Sequence, residues 1–305
     1  MSPAPARSEA LEGIVAMLRA TAAARGEQEM TVEEWRAAYA GLGALLPAAA
    51  GVTVEPVDAG GVPAEWLSPA GNDAGRAIVY LHGGGYCIGG LDTHRPMLTH
   101  LAAVSKARVL AVDYRLAPEH PHPAALDDAA AAYRWVLDNG AEAGRTVVAG
   151  DSAGGGLTVA TLVTLRDAGD PLPALGVCLS PWADLTQSGE SVRTRAEEDP
   201  MVRGADLDRW AACYRGDLPA DHPAISPLFA DLRGLPPLHI EVGTAEVLLD
   251  DARRLADRAR TAGVEVTLVE AEAMVHVWHF FAGAVPEADD GIARVAAAII
   301  GHTRP

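Results

Sequence analysis

Lysine is nearly absent from this chain, since Lys106 is the only lysine among 305 residues. A phosphate-binding loop of the G-x-x-x-x-G-K-[ST] type needs a lysine after its last glycine, and no G-x-G-x-x-G dinucleotide motif occurs. With 41 acidic against 24 basic residues, the formal charge is −17, which repels polyphosphates and anionic lipid surfaces. Nucleotide cofactors, nucleic-acid partners and membrane partners are therefore not expected.

Cysteine is also scarce. The three cysteines, Cys87, Cys178 and Cys213, are far apart in the sequence and form no C-x-x-C pair. This usage is typical of reduced thiols in a cytosol, and it predicts neither a disulfide framework nor a zinc site. We expect a protein without a metal site.

Long hydrophobic runs are missing as well. No stretch reaches the ~18 uncharged apolar residues of a membrane-spanning helix. Residues 1–20 carry charged side chains where a signal peptide would have a continuous apolar core. We expect a soluble, cytoplasmic protein with no membrane insertion. Aromatic residues make up only 5% of the chain, but hydrophobic residues make up 49%, which is enough for a large buried core.

Short apolar runs alternate with helical patterns from about residue 51 onward. The predicted strands lie at 78–81, 108–113, 146–149, 175–179, 238–242 and 264–269. The predicted helices lie at 96–105, 124–138, 153–168, 248–262 and 287–300. Strands that are apolar throughout and alternate with helices are typical of a mostly parallel sheet that is covered on both faces.

Two segments depart from this alternation. Residues 1–50 show helical spacing of apolar side chains, and residues 185–225 are rich in charge and fit neither period well. We predict that 1–50 and 185–225 fold over the functional site as a helical cap. Residues 51–184 and 226–305 would then form the α/β core.

The most informative segment is Val147–Gly156, where an apolar strand runs into G-x-S-x-G and then into a helix of small residues. This pattern predicts a sharp strand-to-helix turn that exposes the Ser152 hydroxyl above the sheet. Gly150 and Gly154 avoid side-chain clashes in such a turn, and the helix that starts near Ala153 points its N-terminal amides at the serine. We predict Ser152 as a nucleophile.

A second glycine motif lies upstream, where an apolar strand ends in His82-Gly83-Gly84-Gly85-Tyr86. Consecutive glycines let backbone N–H groups turn toward a ligand without interference from a Cβ atom. With the N–H of Ala153, these amides are candidates for an oxyanion hole, in which each donor typically lowers the barrier by ~3 kcal/mol.

A serine nucleophile needs a base and an orienting carboxylate, in the chain order Ser, Asp/Glu, His for this architecture. His276 follows the last predicted strand and is the preferred base. His279, its nearest rival, adjoins the apolar Phe280-Phe281 pair and is expected to pack. Glu246 lies in the loop after the fifth predicted strand and is the preferred acid. Asp250 is the second candidate, because an acidic residue in the first turn of a helix commonly serves as a cap.

These motifs carry a family resemblance. Together with Tyr114-Arg115-Leu116-Ala117-Pro118-Glu119-His120 and Ser180-Pro181-Trp182, they make residues 75 to 282 similar to the hormone-sensitive-lipase family of α/β-hydrolases, bacterial esterase family IV. The resemblance implies an α/β-hydrolase fold with a helical cap and no cofactor. It also implies a catalytic triad and an oxyanion hole, which map onto Ser152, Glu246, His276, Gly84, Gly85 and Ala153. Family members often form homodimers through an edge strand that would correspond to 238–242 here.

Two positions depart from the common family pattern. Glu246 stands where many members have aspartate, which resembles a bacterial subgroup with glutamate as the triad acid that includes esterases and lactone hydrolases. Val277-Trp278 replaces a glycine-phenylalanine pair and is expected to reshape the substrate pocket rather than the chemistry. Candidates for that pocket are the large side chains Tyr86, Trp182, Met201, Trp210, Tyr214 and Val277, with Trp278 considered beside them.

The sequence thus predicts a serine carboxylesterase that hydrolyses short-chain acyl or aryl esters through an acyl-enzyme intermediate. A lactone hydrolase or an acyltransferase could use the same triad, and a dehydratase could use the oxyanion hole. A non-catalytic small-molecule receptor is a further alternative, although the receptors that resemble this family lack the triad histidine that His276 supplies here.

Overall fold

Short apolar runs of the sequence become neighbouring parallel strands. In the computed structural model, which describes residues 7–26, 30–73 and 75–304, eight strands pair into one sheet. They are β1 (Val52–Asp58), β2 (Pro63–Pro69), β3 (Ala77–Leu81), β4 (Arg108–Val112), β5 (Thr146–Asp151), β6 (Leu175–Leu179), β7 (Leu238–Gly243) and β8 (Val266–Ala271). Their order is β1-β2-β4-β3-β5-β6-β7-β8, in which β2 is antiparallel to both neighbours and the other pairs are parallel.

Helices cover both faces of this sheet. In the described ranges they are α1 (Glu9–Arg25), α2 (Val32–Gly43), α3 (Leu91–Ser105), α4 (Ala124–Asp138), α5 (Ala153–Ala168), α6 (Ser191–Thr194), α7 (Gly204–Tyr214), α8 (Leu249–Thr261) and α9 (Pro286–His302). None of these described helices has both the length and the apolar character needed to cross a lipid bilayer. The expected helical structure of residues 1–6 and 27–29 lies outside the described part of the chain.

The two faces of the sheet have separate cores because successive strand side chains point in opposite directions. Ile78 and Val147 pack with apolar residues of α3 and α9. Val79 and Val148 point the other way and pack with residues of α4, α5 and α8. A strand that is buried on both sides reads as a continuous apolar run, which explains why the sequence showed the parallel strands so clearly.

The predicted core elements are confirmed, although the helix predicted at 96–105 begins at Leu91. The sequence did not single out β1 and β2. β1 is the outer strand on its side of the sheet and is largely exposed, so it has polar residues and tolerates Pro56, whose missing N–H would weaken a central strand.

The prediction that 238–242 forms an edge strand is wrong. This segment is β7, which pairs with β6 on one side and with β8 on the other, so its backbone groups are already used inside the sheet. The outer strand on this side is β8. The expectation came from the family resemblance, and it failed because strand order depends on how the last strand of the chain docks, here as β8 beside β7.

The segments predicted to form the cap contact each other. Arg25 at the end of α1 forms an ion pair with Asp206 of α7, with 3.2 Å between Nη2 and Oδ2. The Trp35 ring of α2 meets the Trp210 ring of α7 edge-on, with centroids 5.9 Å apart. The N-terminal helices and the segment 185–225 therefore lie on the same side of the molecule.

Candidate active site

Ser152 lies in the sharp turn between β5 and α5. Its backbone has φ 52° and ψ −120°, a strained conformation that costs a residue with a side chain of order 1–3 kcal/mol. Two backbone hydrogen bonds hold the turn. The Ser152 N–H donates to the Leu179 carbonyl over 2.8 Å, and the Trp182 N–H donates to the Ser152 carbonyl over 2.9 Å. The end of the neighbouring strand β6 thus fixes the position of this half-buried serine.

The glycines around Ser152 let β3 and α5 approach closely. A Cβ atom at Gly154 would overlap the carbonyl oxygen of Leu81, and one at Gly150 would overlap the carbonyl oxygen of Gly154. Because Leu81 ends β3, this approach brings the glycine motif of residues 82–85 beside the Ser152 turn. α5 begins at Ala153, so its N-terminal amides and the positive end of its dipole lie next to the serine.

Gly84 and Gly85 have a backbone conformation that other residues rarely adopt. Their φ angles are +118° and +59°, in the half of conformational space that glycine enters without a steric penalty. A Cβ atom at Gly85 would also lie 2.7 Å from the Trp210 ring. The loop after β3 is thus turned sharply against α7, and Gly84, Gly85 and Ala153 remain the candidate oxyanion donors.

Side chains on two other elements hold this glycine loop. The Tyr114 hydroxyl donates to the His82 carbonyl over 2.7 Å, and the two rings stack with centroids 4.2 Å apart. The Gly83 N–H donates to Oδ1 of Asp151 over 3.0 Å, which ties the loop to the residue that precedes Ser152. The segment after β4 that begins at Tyr114 therefore supports the glycine loop through hydrogen bonding and stacking.

His276 and Glu246 form a buried pair across 30 positions of the sequence. His276 Nδ1 lies 2.5 Å from Glu246 Oε2, and Glu246 is fully buried. Glu246 follows β7 and His276 follows β8, and these strands are parallel neighbours, so both loops leave the same end of the sheet. With Nδ1 bound to a carboxylate, Nε2 is the ring nitrogen left to exchange a proton with a serine.

Ser180, which the sequence reasoning did not select, bridges the two loops. Its hydroxyl donates to Glu246 Oε1 over 2.8 Å and accepts from the Val277 N–H over 3.1 Å. The Gly243 N–H donates to the same carboxylate oxygen over 2.6 Å. Oε1 is thus fixed by two donors while Oε2 faces His276. The only sequence signal for this role was the position of Ser180 at the start of the Ser-Pro-Trp motif.

Asp199 is a second buried carboxylate near this pair, and the sequence reasoning missed it too. Its Oδ2 accepts from the N–H of Val247, the residue after Glu246, over 3.0 Å. Burial raises the pKa of Asp199 above 3.8, and the nearby His276 opposes that rise. Asp199 belongs to the charged segment 185–225, in which nothing in the sequence separates a buried acid from an exposed one.

The electrostatic surroundings of His276 favour its protonated form. Burial alone lowers the pKa of the imidazole, but the hydrogen bond and negative charge of Glu246 and the charge of Asp199 raise it. The net effect is a pKa above the ordinary 6.5. A buried imidazolium beside a carboxylate is the state that a general base enters after it takes a proton.

His279 and Asp250, the rival candidates for the base and the acid, contact residues other than Glu246 and His276. His279 Nε2 lies 3.1 Å from Oε2 of Glu241. Asp250 Oδ2 accepts from the Ser191 N–H over 2.8 Å, which ties α8 to α6. The structure therefore brings together Glu246 and His276, the two residues preferred in the sequence, and gives the two rivals other partners.

Four of the six predicted pocket residues pack in the core cluster that extends under α7. The Tyr86 ring stacks on the Tyr214 ring with centroids 3.6 Å apart, and it lies 6.0 Å from the Trp182 ring. Trp210 belongs to the same cluster and faces Gly85. Of these aromatic side chains, Trp210 lies against the glycine loop, and Tyr86 directly follows that loop in the sequence.

The other two, Met201 and Val277, lie in a different hydrophobic cluster with Leu11 of α1. Val277 immediately follows His276 and is buried, with φ +45°. Trp278, which was considered beside them, directs its indole N–H to the Glu287 carbonyl over 3.2 Å. Trp278 therefore packs toward α9.

Known proteins with similar sequences identify the class of protein to which this fold and site belong. A family model described as the alpha/beta hydrolase fold matches residues 78–280. An acetyl-hydrolase of Streptomyces hygroscopicus is 50% identical over 231 residues, which cover 76% of this chain and 77% of that protein.

Solved structures narrow the class. A crystal structure of an esterase from the bacterial hormone-sensitive lipase family has a TM-score of 0.94 and 45% identity, with coverage of 98% of this chain and 100% of that chain. A crystal structure of EstE5 soaked with p-nitrophenyl butyrate has a TM-score of 0.93 and 43% identity, with coverage of 97% and 99%. This chain belongs to the bacterial hormone-sensitive lipase family of α/β-hydrolases, which confirms the family and the fold predicted from the sequence.

Proposed function

We propose that this ester hydrolase is a serine carboxylesterase whose triad is Ser152, His276 and Glu246. The observation that carries the proposal is the buried hydrogen bond of 2.5 Å between His276 and Glu246. These two side chains leave the sheet at the carboxyl ends of parallel strands, as Ser152 does at the end of β5. A base oriented by a carboxylate at the same end of the sheet as a strained serine is the arrangement that acyl transfer requires.

Each group has a chemical role in this proposal. His276 Nε2 takes the proton of the Ser152 hydroxyl while the oxygen attacks the ester carbonyl. The amides of Gly84, Gly85 and Ala153 hold the oxyanion of the tetrahedral intermediate, which breaks down when His276 protonates the departing alcohol. Water then repeats the attack on the acyl-enzyme, and His276 and the serine return to their starting states.

We further propose that 1–50 and 185–225 form a cap over this site, and that the cap limits the acyl chain to a short length. Trp210 of α7 faces Gly85, and Trp35 of α2 supports it from behind. Two relatives agree with a short chain: one is named an acetyl-hydrolase, and EstE5 was soaked with a butyrate ester. A bulky ring against the oxyanion loop leaves little room for a long acyl group.

Replacement of Trp210 by alanine tests this limit. We expect kcat/KM for p-nitrophenyl octanoate, relative to the acetate, to rise roughly tenfold, because a few methylene contacts in a pocket change selectivity by ~1–3 kcal/mol. The measurement is kcat/KM against p-nitrophenyl esters of increasing chain length. Trp135→Ala serves as the control, since Trp135 of α4 packs beside Trp66 on β2. An unchanged chain-length profile in Trp210→Ala would contradict the proposed limit.

The pH dependence of activity tests the role of His276. The base must be neutral to accept a proton, so kcat/KM should rise as the pH increases through the pKa of His276. Because the site raises that pKa, the midpoint of the acid limb is expected above 6.5. Asp199→Asn removes one of the charges that raise the pKa and should move the midpoint downward. An acid limb centred below 6.5 in the wild type would contradict this assignment.

A further inference from the structure

The side chains of β7 alternate in character in a way that the proposed chemistry does not explain. Leu238, Ile240 and Val242 are apolar, whereas His239 and Glu241 are polar and yet buried. On the neighbouring strand β6, the residues that face α9 are the apolar Leu175, Val177 and Leu179. Glu241 thus places a fully buried carboxyl group beneath α9, where an unpaired charge would be strongly unfavourable.

Three donors compensate the charge of Glu241. His239 Nε2 lies 3.0 Å from Oε1, His279 Nε2 lies 3.1 Å from Oε2, and Arg294 Nη2 donates to Oε2 over 2.9 Å. Burial alone raises the pKa of Glu241, but the hydrogen bonds from both histidines and Arg294 hold it well below its ordinary value. Glu241 is therefore a carboxylate at neutral pH, and the cluster is a set of charge-assisted hydrogen bonds.

A metal ion does not account for this cluster. Within residues 7–26, 30–73 and 75–304, no group of three or more His, Cys, Asp or Glu side chains is arranged to hold a metal ion. The Arg294 guanidinium also supplies a positive charge at this carboxylate through its bond to Oε2. The cluster joins β7, α9 and the turn after His276, so it fixes the positions of these three elements relative to one another.

Glu241 is connected through two chains of hydrogen bonds to the loop after β8 that carries His276. Its side chain holds His279, which lies three residues after His276 in the helical turn Trp278–Phe281. Its backbone carbonyl accepts from the Ser180 N–H over 2.7 Å, and the Ser180 hydroxyl contacts both Glu246 and the Val277 N–H. One residue of β7 thus supports both members of the proposed acid-base pair without touching either.

The loop needs such support because it is strained. Val277 has φ +45°, a left-handed conformation that is unfavourable for a β-branched residue and persists only where surrounding contacts impose it. The contact with Ser180 holds it from one side, and the bond between His279 and Glu241 holds the following turn. Without the second contact, the loop can relax and carry the His276 ring away from Ser152.

We infer that Glu241 is a positioning residue: its carboxylate acts through His279 and its backbone carbonyl acts through Ser180, and together they keep His276 in line with Ser152. This inference rests on the proposed esterase function. Its consequence is that loss of the carboxylate lowers the rate of the chemical steps and leaves substrate binding unaffected, because Glu241 is fully buried beneath α9.

The test compares Glu241→Gln and His279→Gln with His239→Gln. All three variants weaken a charge-assisted hydrogen bond of the same cluster, because each puts a neutral amide in place of a carboxylate or an imidazole. His239, however, lies on β7 itself and bonds to the carboxylate oxygen that does not hold His279. We expect Glu241→Gln and His279→Gln each to lower kcat about tenfold with KM unchanged, because a small misplacement of a reacting group has effects of this size or larger. His239→Gln should keep the wild-type kcat.

The readout must separate positioning from stability. The concentration of competent sites is therefore counted by reaction to completion with a p-nitrophenyl phosphonate, and kcat is expressed per titrated site. A variant that merely unfolds loses sites but keeps kcat per site, whereas a misplaced His276 lowers kcat per site. An unchanged kcat per site in both Glu241→Gln and His279→Gln would overturn the inference. If Glu241→Gln fails to fold, His279→Gln decides alone.

A result that contradicts the proposed esterase function differs from one that contradicts the role of Glu241. In the first case the wild type itself would show no ester turnover that depends on Ser152, and the phosphonate would release no p-nitrophenol from it. The inference about Glu241 is judged only against a wild type that passes both checks.

Discussion

Replacement of Ser152 by alanine is expected to abolish ester hydrolysis and to leave the fold intact. In the proposed mechanism the serine oxygen forms the covalent bond to the acyl group, so no other side chain can take over this step. Loss of a serine nucleophile lowers kcat by roughly 10⁴- to 10⁶-fold in enzymes of this chemistry. The residual rate would come from the oxyanion hole and from substrate binding, which the substitution does not remove.

The measurement is the hydrolysis of p-nitrophenyl esters from acetate to palmitate by the wild type and Ser152→Ala side by side. Ser105→Ala is a matched control, because Ser105 is buried at the end of α3 and its hydroxyl donates to the Leu101 carbonyl. Circular dichroism establishes that each variant is folded. Wild-type activity in Ser152→Ala would remove the serine from the mechanism. No turnover of any ester by a folded wild type would instead favour a binding role or a narrow natural substrate.

Glu246→Gln is expected to lower kcat by about 10³- to 10⁴-fold, whereas Asp250→Asn should change it little. The amide that this substitution introduces cannot stabilise the imidazolium that forms when His276 takes the serine proton, and its NH₂ group favours the wrong tautomer of the ring. Asp250 accepts from Ser191 of α6 and forms an ion pair with Arg253, with 3.7 Å between Oδ1 and Nη1. Asparagine keeps the acceptor but loses the charge, so the free energy of unfolding should fall by about 1 kcal/mol at most.

The two carboxyl variants form a matched pair, because each replaces an acid by its amide within the same short segment after β7. Both are assayed for kcat with p-nitrophenyl butyrate and for the free energy of unfolding by urea titration. The proposed triad requires the large kinetic effect in Glu246→Gln and the stability effect alone in Asp250→Asn. The opposite pattern would assign the orienting acid to Asp250.

The strand-helix alternation and the local shape of the Ser152 turn could be predicted from the sequence. A strand buried on both faces must be apolar along its whole length, so the runs at β3 to β7 were visible without any tertiary information. The glycines at 150 and 154 were informative for a similar reason. Each stands where a Cβ atom would overlap a nearby backbone oxygen, and that requirement is imposed by the turn itself.

The supporting residues could not be predicted in this way. Ser180, Asp199 and Glu241 are common polar residues in ordinary local sequence, and each contributes through a partner far along the chain. The assumption that 238–242 is an edge strand failed for the same reason, because β8 docks beside it only in the folded sheet.

The sequence by itself thus determined the fold class, the family motifs and the shape of the turn that carries Ser152, because these depend on side-chain size and backbone freedom over a few consecutive residues. Only the tertiary structure decided that His276 meets Glu246 and not Asp250, and that His279 meets Glu241. Such pairings depend on strand order and on the directions in which loops leave the sheet. Those are set by the packing of the whole core, which no single segment encodes.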